Sequence, residues 1–187
     1  MTMATMAAGV LLSQQTQCLR GFSVNGNTFN PVDLQKLGFN ILMGSNPKVR
    51  YKSDLSSLGQ YDSYDNTMWF RFNSVTSVME KSNVVHEATH AACDMNRQKM
   101  TVAYSEVMAY IVQAQFARAN NPYPNQRYLQ GATWQSDRVY EIAWMLAGKL
   151  LGGATLTALE VSNLKDAICA NPTYASEASN VAGYGGI

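Results

Sequence analysis

Two rhythms of apolar and polar residues divide the chain. Through about residue 72 the apolar residues come in short clusters set among Asn, Gly, Ser, Pro and Asp, whereas from Ser77 onward they return every three or four positions over long stretches. After a helix that fits residues 1–20, the first rhythm predicts short strands and loops over about 21–72. Phe39 to Met43 and Val49 to Tyr51 are apolar runs of strand length. The turn-forming stretch Tyr61 to Asn66 precedes the clearest strand, Thr67 to Phe72, in which Met68, Phe70 and Phe72 share one side.

The second rhythm predicts helices. Ser77 with Glu80 makes a capping box at the start of a helix over about 77–97, whose apolar face is Val78, Val84, Val85, Ala88, Ala91, Ala92 and Met95. A second helix covers about 101–119 around Val107, Met108, Ile111, Ala114 and Phe116, with Pro122 to close it. C-terminal helices occupy about 136–171. One carries the core stripe Val139, Ile142, Ala143, Leu146 and Leu150 as far as Gly152 and Gly153; another opens at Thr157 with Glu160 and stops near Asn171 and Pro172. The remainder, about 172–187, turns Gly-rich at its end and reads as a tail or a draped strand. Strands early and helices late make an α+β domain, and the length suits a single unit over 1–187.

Composition narrows the partners. Hydrophobic residues make up 47% of the 187, enough for a real core, while charged residues are 14% against a usual share of about 25%. The net charge is +1 and no basic cluster is present to release counterions from a phosphate backbone, so nucleic acid is not expected as a partner. The opening MTMATMAAGVLL has no basic residue before Arg20, and its apolar run is far shorter than the ~18 residues of a membrane span. Neither a Sec signal nor a membrane anchor is expected, which places the protein in the cytoplasm as synthesised and leaves export by a signal-less route open. Cys18, Cys93 and Cys169 are too few for a disulfide framework and read as reduced thiols.

The chemistry is concentrated in five residues, His86, Glu87, Ala88, Thr89 and His90, an HExxH inside helical text. Residues four apart lie on one helix face, so both imidazoles can reach one ion at about 2.0 Å, while the Glu beside the first can hydrogen-bond a water on that ion. Zn²⁺ brings the pKa of such a water toward ~7, and the carboxylate accepts its proton as the oxygen attacks a carbonyl. The chain holds two His and six Glu. Random placement of these would produce the arrangement about once in 3,000. The bland alternative is a surface helix whose two histidines cap or pair.

A zinc site needs a third protein ligand, and with no third His it must be Asp, Glu or Cys. The metzincin pattern HExxHxxGxxH is absent, since Cys93 and Asn96 stand where its Gly and last His would be. Glu106 leads: it lies 16 residues after His90 in the first turns of the next helix, and a short turn near Lys99 and Met100 can bring that helix back across the first. Asp94 lies one further turn along the His face. Three ligands on consecutive turns of a straight helix span about 11 Å and cannot converge on one ion, which makes Asp94 a support in the floor of the site. Cys93 is rotated from that face and packs as a small apolar residue. Tyr104 and Tyr110 flank Glu106 and are either donors to a developing oxyanion or aromatic packing against the active helix.

HEATHAACD over His86 to Asp94, with Glu106 in YSEVMAY on the following helix, resembles the gluzincin branch of the zincin metallopeptidases over about residues 67–116. The resemblance implies a zincin-like fold, a small twisted sheet packed on the active-site helix, with Thr67 to Phe72 as the edge strand above the cleft. It also implies Zn²⁺ held by His86, His90 and Glu106, and Glu87 as general base. The interval before Glu106 is somewhat shorter than in the thermolysin type. Tyr110 stands one turn after Glu106, where that type carries an acidic residue, and is with Asp94 a candidate support for the ligands. The expected function is a zinc metallopeptidase acting on a peptide or protein bound along Thr67 to Phe72 by β-augmentation, either resident in its cell or delivered as an effector toxin. The alternative is a non-catalytic zincin-like module that keeps a metal or binds a partner. An intact Glu87 speaks against it, because a purely structural site has no need of a base.

Overall fold

The computed structural model describes residues 1–121, 127 and 129–186, a mixed α+β chain with, among the described residues, six α-helices and two small sheets. Helix α1 (Met3–Leu11), capped by the Thr2 side chain, covers only part of the helix expected over 1–20; a 3₁₀ turn follows at Gln14–Thr16. A hairpin of β1 (Phe22–Val24) and β2 (Asn27–Phe29) closes through Asn25 and Gly26, both at positive φ (48° and 80°), the conformation that an Asn-Gly pair adopts with little strain.

The stretch expected to hold only strands and loops contains a helix, α2 (Pro31–Leu42). Phe39 to Met43 is therefore its last turn and not a strand. The helix signal was the cap: Asn30 accepts from the Val32 N–H, Pro31 holds the first position, and Leu34, Leu37 and Ile41 are buried at helical intervals. The apolar run misleads because Phe39 and Met43 are 60% and 82% exposed.

Strands β3 (Lys48–Tyr51), β4 (Gly59–Asp62) and β5 (Thr67–Phe70) form a sheet in the order β3-β5-β4, with β3 parallel and β4 antiparallel to β5. The Thr67 to Phe72 strand thus ends at Phe70 and is central, not the edge expected above the cleft. Its apolar content is what a strand paired on both sides requires: Thr67, Met68 and Phe70 are completely buried. The edge falls to the more polar β4, Gly-Gln-Tyr-Asp, as an exposed edge demands.

The later helices are α3 (Val78–Met95), α4 (Val102–Ala119), α5 (Trp134–Leu151) and α6 (Ala158–Cys169). Ser77, Thr101, Thr133 and Thr157 cap them, each accepting from the backbone N–H three residues on. The starts agree with those expected except that α5 begins two residues early; Pro122 lies outside the described residues. Helix α3 packs against α1, α2, α4 and β4, and every residue from Ser82 to Asp94 is buried. A helix buried over this length can carry polar groups only where they find partners. The segment after α6 is a draped one: the first N–H groups of α4, Val102 and Ala103, donate to the carbonyls of Asn180 and Ala178, and Val181 bridges to Thr101. Among the described residues no helix is long and apolar enough to cross a membrane.

Candidate metal centre

Helix α3 supplies His86, Glu87 and His90, and α4 supplies Glu106. The connection is short because Arg97 takes a left-handed conformation (φ 51°) and the Gln98 N–H returns to the Cys93 carbonyl, ending α3 and turning the chain back. His86 Nε2 and His90 Nε2 are then 3.3 Å apart, and the two carboxylate oxygens of Glu106 each lie 3.4 Å from one of them, Oε2 from His86 and Oε1 from His90. A tetrahedron with metal–ligand bonds of about 2.0–2.1 Å has edges of about 3.3–3.4 Å, a spacing met by the two nitrogens and by each nitrogen with its own Glu106 oxygen. His86, His90 and Glu106 form a cluster that could hold a metal ion.

The surroundings fit a cation. Glu106 Oε2 is buried without a hydrogen bond. His86 Nδ1 sits 3.0 Å from Gln113 Oε1. An amide oxygen only accepts, so Nδ1 carries the proton and Nε2 keeps its lone pair toward the cluster. Behind His90, Nδ1 contacts Ser105 Oγ at 2.7 Å and the Tyr184 hydroxyl at 3.1 Å. Burial works to raise the Glu106 carboxyl, but the two imidazoles beside it, His90 foremost, outweigh it and hold it well below the usual carboxylate range.

Glu87 is only 5% exposed and lies outside the ligand cluster. Burial pushes its carboxyl up to about 7; Glu106 adds to the rise, while His86 and the Tyr61 backbone N–H oppose it. Strand β4 runs against it so closely that a Cβ at Gly59 would come within 2.9 Å of both Glu87 Cγ and Oε1. Together these residues border a cleft of about 540 Å³, lined also by Gly59, Gln60 and Tyr61 of β4 and by Tyr174, Glu177 and Tyr184.

The remaining candidates fall elsewhere. Asp94 is fully buried and is not one of the clustered ligands; its two oxygens accept from the Tyr61 hydroxyl and the Gly186 N–H, each at 2.7 Å. It supports the walls of the cleft rather than the ligands. Tyr110 sets its ring edge-on to His86, centroids 4.8 Å apart, and its hydroxyl pairs with that of Tyr174 at 2.9 Å. It backs His86 by packing, where an acidic residue would do so by charge. Tyr104 packs at the margin of the core with Lys165 over its ring. Cys93 contacts Met108 Sδ, and burial pushes its thiol up to about 12, so it offers no thiolate.

Sequence reasoning missed Gly59, Tyr61, Ser105, Gln113 and Tyr184. Gln113 had a signal, a polar residue two turns after Glu106 on an otherwise apolar face. Tyr184 had none, since 94 residues separate it from His90. No family model, curated protein or solved structure matches the chain, and the two histidines and the glutamate stand on their own geometry.

Proposed function

We propose that the protein is a zinc-dependent metallopeptidase with a gluzincin-like zincin fold, in which His86, His90 and Glu106 hold Zn²⁺ and Glu87 is the general base of peptide amide hydrolysis. The observation that carries this reading is the convergence of His86, His90 and Glu106, with donor atoms all within 4.8 Å of one another, beside a carboxylate that is not one of them. Bound zinc would supply Lewis acidity toward the scissile carbonyl and acidify the attacking water.

The rest falls to the chain's own groups. Glu87 takes the proton of the attacking water as the C–O bond forms and passes it to the amide nitrogen as the C–N bond breaks. Tyr174 and Tyr184 line the cleft, and burial holds both phenols protonated, so the wall offers O–H donors to a developing oxyanion. An extended peptide finds its rail along β4, which pairs only with β5 and flanks the cleft; it takes the role expected of Thr67 to Phe72. Gln113, Ser105 and Tyr184 hold the two imidazoles in orientation.

The test compares wild type with Glu87→Gln on a proteome-derived peptide library, with zinc content measured in both. Cleavage about 10²- to 10⁴-fold slower with zinc retained is expected of a lost general base. Equal cleavage by the two zinc-loaded proteins moves the reading to a non-catalytic metal-binding or interaction module.

A further inference from the structure

We infer that Tyr184 is a positioning residue for His90, and that the C-terminal segment carrying it docks onto the metal centre in step with metal binding; this rests on the zinc reading above. The two histidines solve the same problem differently. Each must keep its proton on Nδ1 if Nε2 is to face the cluster with a lone pair. His86 meets Gln113 Oε1, which cannot donate, and its tautomer is fixed.

His90 meets only hydroxyls, and a hydroxyl can donate or accept. Were the Ser105 hydroxyl free to donate to Nδ1, the ring would hold its proton on Nε2, aimed at His86 and Glu106. Tyr184 offers that proton another acceptor. Its hydroxyl is hydrogen-bonded to Ser105 Oγ as well as lying 3.1 Å from Nδ1. When Ser105 donates to the Tyr184 oxygen, Ser105 Oγ presents a lone pair to Nδ1 at the shorter distance of 2.7 Å. The Tyr184 proton is left to point into the cleft that this residue lines.

The segment is held for this purpose at both sides of Tyr184. Ala182 N–H donates to the Met100 carbonyl at 2.9 Å, and Gly186 N–H donates to Asp94 Oδ1 at 2.7 Å. Thermodynamic linkage makes the effect reciprocal: whatever factor docking of the segment adds to metal affinity, bound metal returns to docking.

The experiment uses the full chain with Tyr184→Phe, which keeps the ring and deletes the hydroxyl. Zinc affinity is read by competition with a chromogenic chelator, and ligand geometry by the visible absorption of the Co²⁺-loaded protein. The expected result is a zinc affinity about tenfold lower, a changed Co²⁺ spectrum, and an unchanged thermal midpoint of the metal-free protein. Tyr174→Phe is the control: it lies on the same segment, but its hydroxyl pairs with Tyr110, and it should match wild type in both metal readouts. Zinc should slow amide exchange in residues 181–186 of wild type, and about tenfold less so in Tyr184→Phe. Zinc affinity within twofold of wild type and an identical Co²⁺ spectrum overturn the inference while leaving the zinc reading intact. A wild type that takes up no zinc overturns both.

Discussion

One side of the cleft is made of helix and the other of edge strand and turns, and the two hold their residues in place by different means. His86, Glu87, His90 and Glu106 sit on two 18-residue helices whose backbone groups are satisfied internally and whose flanks are buried. Helical period sets the two histidines, and one helix–helix contact sets Glu106 against them. The other parts are β4, laddered to β5, and the segment after α6, built of short turns. They meet the helices through separate long-range contacts: Tyr61 and Gly186 to Asp94, Asn180 to Val102, Tyr184 to Ser105. For the proposed hydrolase, ligands on stiff elements and substrate-facing groups on separable ones is the division needed, since metal geometry tolerates little error and a peptide must enter and leave.

The sharpest way to break this comparison is to remove a ligand from the stiff side. Glu106→Ala should lose zinc as severely as His90→Ala, by about 100-fold or more, because either change leaves two protein ligands where three are needed. Elemental analysis after dialysis against zinc reads it. If Glu106→Ala keeps its metal, the ligand set is wrong and the helix pair is only a frame.

A smaller effect belongs to the joint between the two sides. Asp94→Ala leaves the Tyr61 hydroxyl with Asn66 Oδ1 alone and strips the Gly186 N–H of the Asp94 carboxylate. Leaving such a group unpaired costs about 1–3 kcal/mol, to be read from urea unfolding. Because Asp94 touches neither histidine nor Glu106, zinc affinity should fall far less than in Glu106→Ala. A ligand-sized loss of zinc would place Asp94 with the metal rather than with the walls.

The same division separates what the sequence made legible from what it hid. The helices from α3 onward could be read because caps and period are local, and HExxH is itself a statement about one helix face. Glu106 followed from the length of one turn. Helix α2 was hidden because the run Phe39 to Met43 is apolar yet mostly exposed, so hydrophobicity and burial disagree there. The place of β5 in its sheet was hidden because strand character says nothing of how many neighbours a strand has. Tyr61, Asp94 and Tyr184 meet through contacts spanning 33 to 94 residues, which only the assembled fold brings together.

The smallest predicted effect tests the stiffness itself. Ser77 Oγ accepts from the Glu80 N–H at 3.1 Å, and Glu80 Oε2 returns to the N–H groups of Ser77 and Thr76 at 2.8 Å each. Ser77→Ala deletes the first of these and leaves the others, so the cost should sit toward the lower end of the usual cap range, about 0.5–1 kcal/mol by urea unfolding. Fraying at that end has little reach. His86 lies nine residues on, about 13 Å along the axis, and everything from Ser82 onward is enclosed by neighbouring elements. Zinc affinity should therefore stay within twofold of wild type, below the loss expected of Tyr184→Phe although Ser77 is on the ligand helix and Tyr184 is not. If Ser77→Ala weakens zinc as much as Tyr184→Phe, the ligand helix is not rigid between its cap and its histidines, and both sides of the cleft are adjustable.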